Sequence, residues 1–180
     1  MQRTRPQRTW IFGYGSLIWR PDFPFVERVP ARLDGWKRRF WQGSPDHRGV
    51  PARPGRVVTL LQEAGTSTWG AAYSVEAQVL DAVIARLDVR EVAGYALQHL
   101  TATTADDTVI NPVLTYIATP TNPSWLGPAE PAAIAAHAAE SAGRSGTNRD
   151  YIERLAQALD DMGVADDHVQ AVAAALHARP

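Results

Sequence analysis

Between residues 57 and 75 two short runs of apolar and β-branched residues, 57–62 and 69–75, bracket a polar stretch, Glu63-Ala64-Gly65-Thr66-Ser67-Thr68. They read as two strands of a hairpin turning over 63–68. After Glu76 the spacing of apolar positions changes: Val79, Leu80, Val83, Ile84 and Leu87 recur at three and four, which predicts an amphipathic helix over 76–87. A loop over 88–94 follows, and then a second hairpin, 95–104 and 108–118, across Ala105-Asp106-Asp107. Upstream, Trp10-Ile11-Phe12 reads as a strand entering the core. Residues 26–41 alternate loosely, with a turn expected at Asp34-Gly35. Pro21 and Pro24 keep the intervening segment out of regular helix. The stretch 42–55 is a polar connection rich in Gly and Pro, and a loop of that length between strands points to function.

The last third is alanine-rich and helical. One helix is expected over 132–142, opened by Pro131 and stopped by Gly143. A second begins near Asn148 and buries Ile152, Leu155, Ala156 and Leu159. A third begins near Asp166 with Val169, Val172, Ala173 and Leu176 on its apolar face. About six strands, one early helix and a helical tail make this an α+β fold, a mostly antiparallel sheet or small β-barrel flanked by helices.

Length and composition sharpen that picture. The 180 residues suit one domain over 10–180, preceded by a flexible basic lead-in over 1–9 that carries Arg3, Arg5 and Arg8. A net charge of -1 argues against a nucleic-acid-binding protein. The absence of cysteine removes disulfides, thiolate metal sites and cysteine nucleophiles, and it suits a reducing compartment. No apolar run approaches membrane-spanning length, so the expectation is a cytoplasmic protein.

Candidate chemistry is sparse. Gly13-Tyr14-Gly15-Ser16 follows the first strand, and glycine at both positions frees the backbone to turn successive N–H groups toward an anion or a developing oxyanion. A plain turn accounts for the glycines equally well. Ser16 lacks the second glycine of a nucleophile elbow, and no Lys-Ser/Thr pair makes the segment a phosphate loop. The five histidines show no ligand spacing. Among the carboxylates, Glu91 stands out: Val92, Ala93 and Tyr95 surround it with apolar neighbours that raise a carboxyl pKa and suit it to proton transfer. An ion pair with Arg90 or a helix C-cap role explains it as well. The segment 36–56 mixes Trp36, Trp41 and Phe40 with Arg38, Arg39, Arg48, Arg53 and Arg56, which would grip a small acidic ligand or a single-stranded nucleic acid, or merely line a wet strand face.

Taken together, Phe12-Gly-Tyr-Gly-Ser-Leu-Ile-Trp19, Arg38-Arg-Phe-Trp-Gln-Gly-Ser44, Asp46-His-Arg-Gly-Val-Pro51, Arg90-Glu-Val-Ala-Gly-Tyr95 and Ser145-Gly-Thr-Asn148 with Tyr151 resemble the ChaC family of glutathione-specific γ-glutamylcyclotransferases. The resemblance implies cleavage of glutathione to 5-oxoproline and Cys-Gly without water, metal or cofactor. Glu91 would be the general acid/base. The backbone of Tyr14, Gly15, Ser16, Leu17 and Ile18 would hold the γ-glutamyl end and the oxyanion, and Arg39, Tyr116 and Tyr151 would line the pocket. It implies a monomer or homodimer whose partner is the small-molecule substrate, with no nucleic acid and no membrane. The alternatives are a cyclotransferase acting on other γ-glutamyl amines or amino acids and a non-catalytic module binding an acidic ligand or nucleic acid through the Trp/Arg segment.

Overall fold

The computed structural model describes residues 8–179 of the chain. Five long strands, β1 (Arg8–Gly13), β2 (Glu27–Ser44), β3 (Gly55–Glu76), β4 (Tyr95–Thr104) and β5 (Val109–Ala118), close into a barrel in the order β1-β3-β2-β4-β5. Neighbours run antiparallel except at the closure, where β1 meets β5 in parallel, Trp10 opposite Val113 and Ile11 opposite Leu114. Closure gives each of the five barrel strands a partner on both sides. The lead-in expected over 1–9 falls mostly on residues 1–7, which lie outside the described residues. Arg8 and Thr9 already belong to β1, opposite Glu76 and Val75.

The hairpin expected over 57–75 is a single strand. Both of its halves pair with β2: Leu60 lies opposite Arg38 and Ala72 opposite Val29. Residues 63–66 form an exposed bulge where the register jumps from Asp34–Ser67 to Trp36–Gln62, and the expected turn at Asp34-Gly35 is the other side of that same irregularity. Polar, glycine-containing segments mark a break in pairing, and a bulge accommodates the break without reversing the chain when one partner strand spans both halves.

Ile11, Phe12, Leu33, Phe40 and Tyr73 are completely shielded from solvent in the core; burial on that scale contributes about 1.5–3 kcal/mol for each large apolar side chain. Helix α1 (Ala77–Arg90) follows β3 and buries Val83 and Leu87, with Val79, Leu80 and Ile84 packed beside them. It runs three residues past the expected end, is capped by Glu91, and leads into a loop where Ala93 and Gly94 both take positive φ. The C-terminal helices are α2 (Pro131–Ala139), α3 (Asn148–Asp161) and α4 (Asp167–His177), with a two-strand clip, β6 (Ala142–Gly143) and β7 (Gly146–Thr147), between α2 and α3. Thr147 caps α3 by accepting from the Asp150 N–H at 3.1 Å. Asn148, fully buried, fixes the start of α3 to β3: its Oδ1 accepts from the Arg56 N–H and its Nδ2 donates to the Arg56 carbonyl, both at 2.7 Å. Asp166 caps α4 and also accepts from Nη1 of the buried Arg38 at 2.8 Å. Among the described residues no helix is long and apolar enough to cross a membrane.

Candidate active site

A cavity of about 480 Å³ opens where the end of β1, the start of α1's exit loop, the segment after β2 and the β6–β7 clip converge. One wall is the stretch from Gly13 to Leu17. Ser16, Leu17 and Ile18 form one 3-10 turn, closed by the Ile18 N–H donating to the Gly15 carbonyl at 3.0 Å. The N–H groups of Ser16 and Leu17 precede that bond, so they have no partner within the turn. The glycines serve close packing: neither Gly13 nor Gly15 takes positive φ. A Cβ on Gly13 would sit 2.5 Å from Leu17 Cβ, and one on Gly15 would sit 2.9 Å from the Tyr151 hydroxyl. Tyr73 holds the far side of the turn, donating to the Leu17 carbonyl at 2.7 Å.

Glu91 enters from α1. As the residue just past the helix, it donates its N–H to the Leu87 carbonyl at 2.7 Å, so the C-cap role foreseen for it is real. Its carboxylate nevertheless lines the cavity, 3.5 Å from Arg90 Nε. Burial pushes the Glu91 carboxyl above its ordinary pKa; Arg90 pulls it down and Asp46 pushes it up. The exit loop behind it is clamped by Gln42, fully buried on β2, whose Nε2 donates to the Ala93 carbonyl at 2.6 Å and to Asn122 Oδ1 at 3.0 Å.

Four tyrosines, Tyr14, Tyr95, Tyr116 and Tyr151, line the same space. Three spend their hydroxyl protons on the protein: Tyr14 on the Tyr116 carbonyl at 2.6 Å, Tyr95 on the Val58 carbonyl at 2.7 Å, and Tyr116 on Asp88 Oδ1 at 2.6 Å. Tyr151 instead accepts, from the Val58 N–H at 3.3 Å, and among the described residues its own O–H has no acceptor, which frees it for a ligand in the cavity. Burial pushes the Tyr151 phenol up to about 12, which keeps that proton in place at neutral pH.

The structure brings Tyr14, Gly15, Ser16, Leu17, Glu91, Tyr116 and Tyr151 together around one cavity. It does not bring Ile18 or Arg39 to it. Ile18 is buried in the core, and Arg39 donates to the Arg38 carbonyl at 2.6 Å beside α4. The cationic positions expected from Arg39 are filled by others. Arg48, buried over the Tyr151 ring at 5.5 Å and held by Asp150 at 3.0 Å, lines the cavity; so do Arg20, Arg86, Arg90 and Arg144. Sequence reasoning named Arg48 without placing it. The bulges that set the phase of β2, and the long-range contact with α3, carry no local signal. Among the described residues no three His, Asp or Glu side chains gather as a metal-binding group.

The family profile for ChaC-like proteins matches residues 9–179. The chain belongs to the ChaC-like family. A human protein named glutathione-specific gamma-glutamylcyclotransferase 1 is 43% identical over 173 residues, 93% of this chain and 78% of that protein. An Arabidopsis thaliana relative named gamma-glutamylcyclotransferase 2-3 is 42% identical over 168 residues, covering 89% of this chain and 84% of its own length. A crystal structure of the yeast gamma-glutamyl cyclotransferase specific to glutathione superposes with a TM-score of 0.88 at 29% identity, covering 94% of this chain and 96% of that one. The family's barrel with flanking helices is thus this chain's fold, and its glycine loop and Glu91 meet in one cavity.

Proposed function

We propose that this protein is a γ-glutamylcyclotransferase that cleaves glutathione to 5-oxoproline and Cys-Gly. The observation that carries the reading is the meeting of Glu91, its carboxyl pushed up by burial, with the Tyr14–Leu17 backbone across one cavity. The lining also suits the substrate's charge. Five arginines and three carboxylates face a molecule that bears two carboxylates and one ammonium.

The reaction is intramolecular, so the first task is to hold the γ-glutamyl chain with its α-nitrogen over its own γ-carbonyl carbon. Glu91 takes a proton from the α-ammonium. The freed amine attacks the γ-carbonyl, and the carbonyl electrons move to oxygen, where N–H groups of the Ser16–Leu17 turn and the Tyr151 O–H meet the developing charge. Collapse of the tetrahedral centre expels the cysteinyl nitrogen, to which protonated Glu91 gives its proton. The second proton of the new ring nitrogen then passes through Glu91 to the departing amine, which leaves as an ammonium. One C–N bond forms and one breaks, water takes no part, and Glu91 ends as it began. Ser16 orients the loop through its bond to Arg90 and is not the nucleophile.

The protein would work in the cytoplasm, as a monomer or homodimer, on a small molecule. Incubating it with glutathione and measuring 5-oxoproline and Cys-Gly tests the reading; absence of both products rejects it. A broader taste for γ-glutamyl amines is the second reading, favoured by the Arabidopsis relative whose name specifies no glutathione, and turnover across γ-glutamyl amino acids separates the two.

A further inference from the structure

At the solvent end of the cavity, Asp46, His47, Arg144 and Ser145 form a cluster that the cyclisation leaves unused. Two distant segments meet there. The Arg144 N–H donates to the Asp46 carbonyl at 2.9 Å and the Ser145 N–H to the His47 carbonyl at 3.0 Å. Gly143 allows the approach, since a Cβ on it would lie 2.4 Å from the Asp46 carbonyl oxygen.

The hydrogen-bond wiring sets what the cluster can do. Arg144 Nη2 donates to Asp46 Oδ2 at 3.0 Å and to His47 Nε2 at 3.2 Å. A guanidinium offers no lone pair, so Nε2 is the acceptor and the imidazole proton sits on Nδ1. Nδ1 therefore donates to Ser145 Oγ, 2.7 Å away. Burial holds His47 below its ordinary pKa, with the Arg144 and Arg90 cations adding to the effect against Asp46, which favours this neutral form. The trio Asp46, His47 and Ser145 has the composition of a hydrolase triad with the wiring reversed: the imidazole gives its proton to the serine oxygen and holds no lone pair toward it. What remains is a serine O–H and further guanidinium N–H groups with no protein partner among the described residues, lining the cavity.

Asp46, His47, Arg144 and Ser145 line the same cavity as Glu91. Cys-Gly, extending from the bond that breaks, reaches about 7 Å. We infer that Arg144 and Ser145 form a subsite for the C-terminal carboxylate of the leaving dipeptide. This rests on the cyclotransferase reading, and it identifies what distinguishes a γ-glutamyl dipeptide from a γ-glutamyl amine.

The test compares glutathione with its C-terminal amide on wild-type protein, Arg144→Ala and Ser145→Ala, following 5-oxoproline. Arg144 is 64% exposed at its side chain, so its loss leaves the fold intact. The wild type should show a KM about tenfold higher for the amide than for the acid, with kcat little changed, the scale of one charge-assisted hydrogen bond. Each variant should raise KM for the acid and shrink the acid-to-amide ratio toward one. Variants that keep the wild-type ratio, or a wild type indifferent to the amide, overturn the subsite while leaving the cyclotransferase reading standing. A wild type that makes 5-oxoproline from neither peptide overturns both.

Discussion

Arg90 Nη2 donates to Ser16 Oγ at 2.9 Å while its Nε stands 3.5 Å from Glu91 Oε1, so a single guanidinium joins the glycine loop to the proposed acid/base. Its Nη1 also donates to the Arg20 carbonyl at 2.6 Å and to the Pro21 carbonyl at 3.2 Å. The side chain is mostly buried, and a buried planar fork that meets carbonyl, hydroxyl and carboxylate partners at once fixes their separation in a way a lysine does not. The distance between loop and Glu91 is therefore set by a residue adjacent in sequence to Glu91 itself.

Glu91→Gln should lower kcat/KM for glutathione by about 10²–10⁴-fold, the range of general acid–base catalysis. It should not cost stability. A carboxyl whose folded pKa is raised stabilises the fold below its unfolded value near pH 4.3 and loses that contribution as pH rises through the folded value. The glutamine cannot ionise, so the midpoint of unfolding at pH 7 should equal or exceed that of wild type. An inactive but destabilised variant would count against the assignment.

The acid limb of the kcat/KM profile should lie above the ordinary glutamate value, because burial raises the carboxyl that must be deprotonated to act as base. Asp46→Asn removes an upward influence and should move the limb down. Arg90→Gln removes the downward one and should move it up, while also loosening the loop and lowering the plateau. Limbs that move the other way, or stay put in both variants, would show that another group controls the profile.

Tyr151→Phe should lower kcat/KM about tenfold, the upper range for one neutral hydrogen bond. Tyr95→Phe and Tyr116→Phe should act mainly through stability, because their protons are committed to Val58 and Asp88. Steady-state rates set beside urea unfolding of the three variants separate these cases.

The contrast between Arg38 and Arg39 shows where the sequence stops speaking. The α+β class, the helix start at Asn148 and the buried faces of the last two helices follow from local periodicity, whereas the choice of a closed barrel over an open sheet does not. Which of two adjacent arginines turns inward depends on the phase of β2, and the irregularities between Asp34 and Trp36 and between Arg39 and Gln42 reset that phase. The loop and Glu91 were legible because each sits at a strand or helix end with an unusual local composition. Arg48, Gln42 and the Asp46–Arg144 cluster take their meaning from contacts with residues far along the chain, Asp150, Asn122 and Ser145 among them, which no window of sequence contains.

His168 gives the fold a specific acid sensitivity. Its Nε2 accepts from the Phe40 N–H at 3.1 Å, which only the neutral ring can do. Burial first, then the Arg39 and Arg38 cations, depress its pKa to about 4, against the pull of Asp166. A base whose folded pKa is depressed contributes stability that is full above the unfolded value near 6.5 and is lost as pH falls toward about 4. The loss should approach but not exceed about 3 kcal/mol, less whatever solvent screening removes. Urea unfolding between pH 7.5 and 4 should show it, and His168→Gln, which keeps an acceptor that does not titrate, should flatten that part of the curve. Parallel curves for the two proteins would mean that α4 docks without this bond.

Asn148→Ala should be the costliest polar substitution outside the cavity. It strips partners from both the N–H and the carbonyl of Arg56, within a stretch of β3 that is shielded from solvent. Each backbone group left unpaired costs about 1–3 kcal/mol, so a loss of roughly 2–5 kcal/mol in chemical denaturation is expected. Asn148→Asp keeps the acceptor for the Arg56 N–H but sets a carboxylate against the Arg56 carbonyl, so it should recover little of that loss. The consequence reaches the cavity through α3. That helix carries Tyr151, and Asp150, one residue before it, holds Arg48. Protein that survives the substitution should therefore bind glutathione more weakly, with KM rising before kcat falls. A variant that is destabilised yet keeps the wild-type KM would show that the Tyr151 end of the site is held by the core contacts of Ile152 and Leu155 alone.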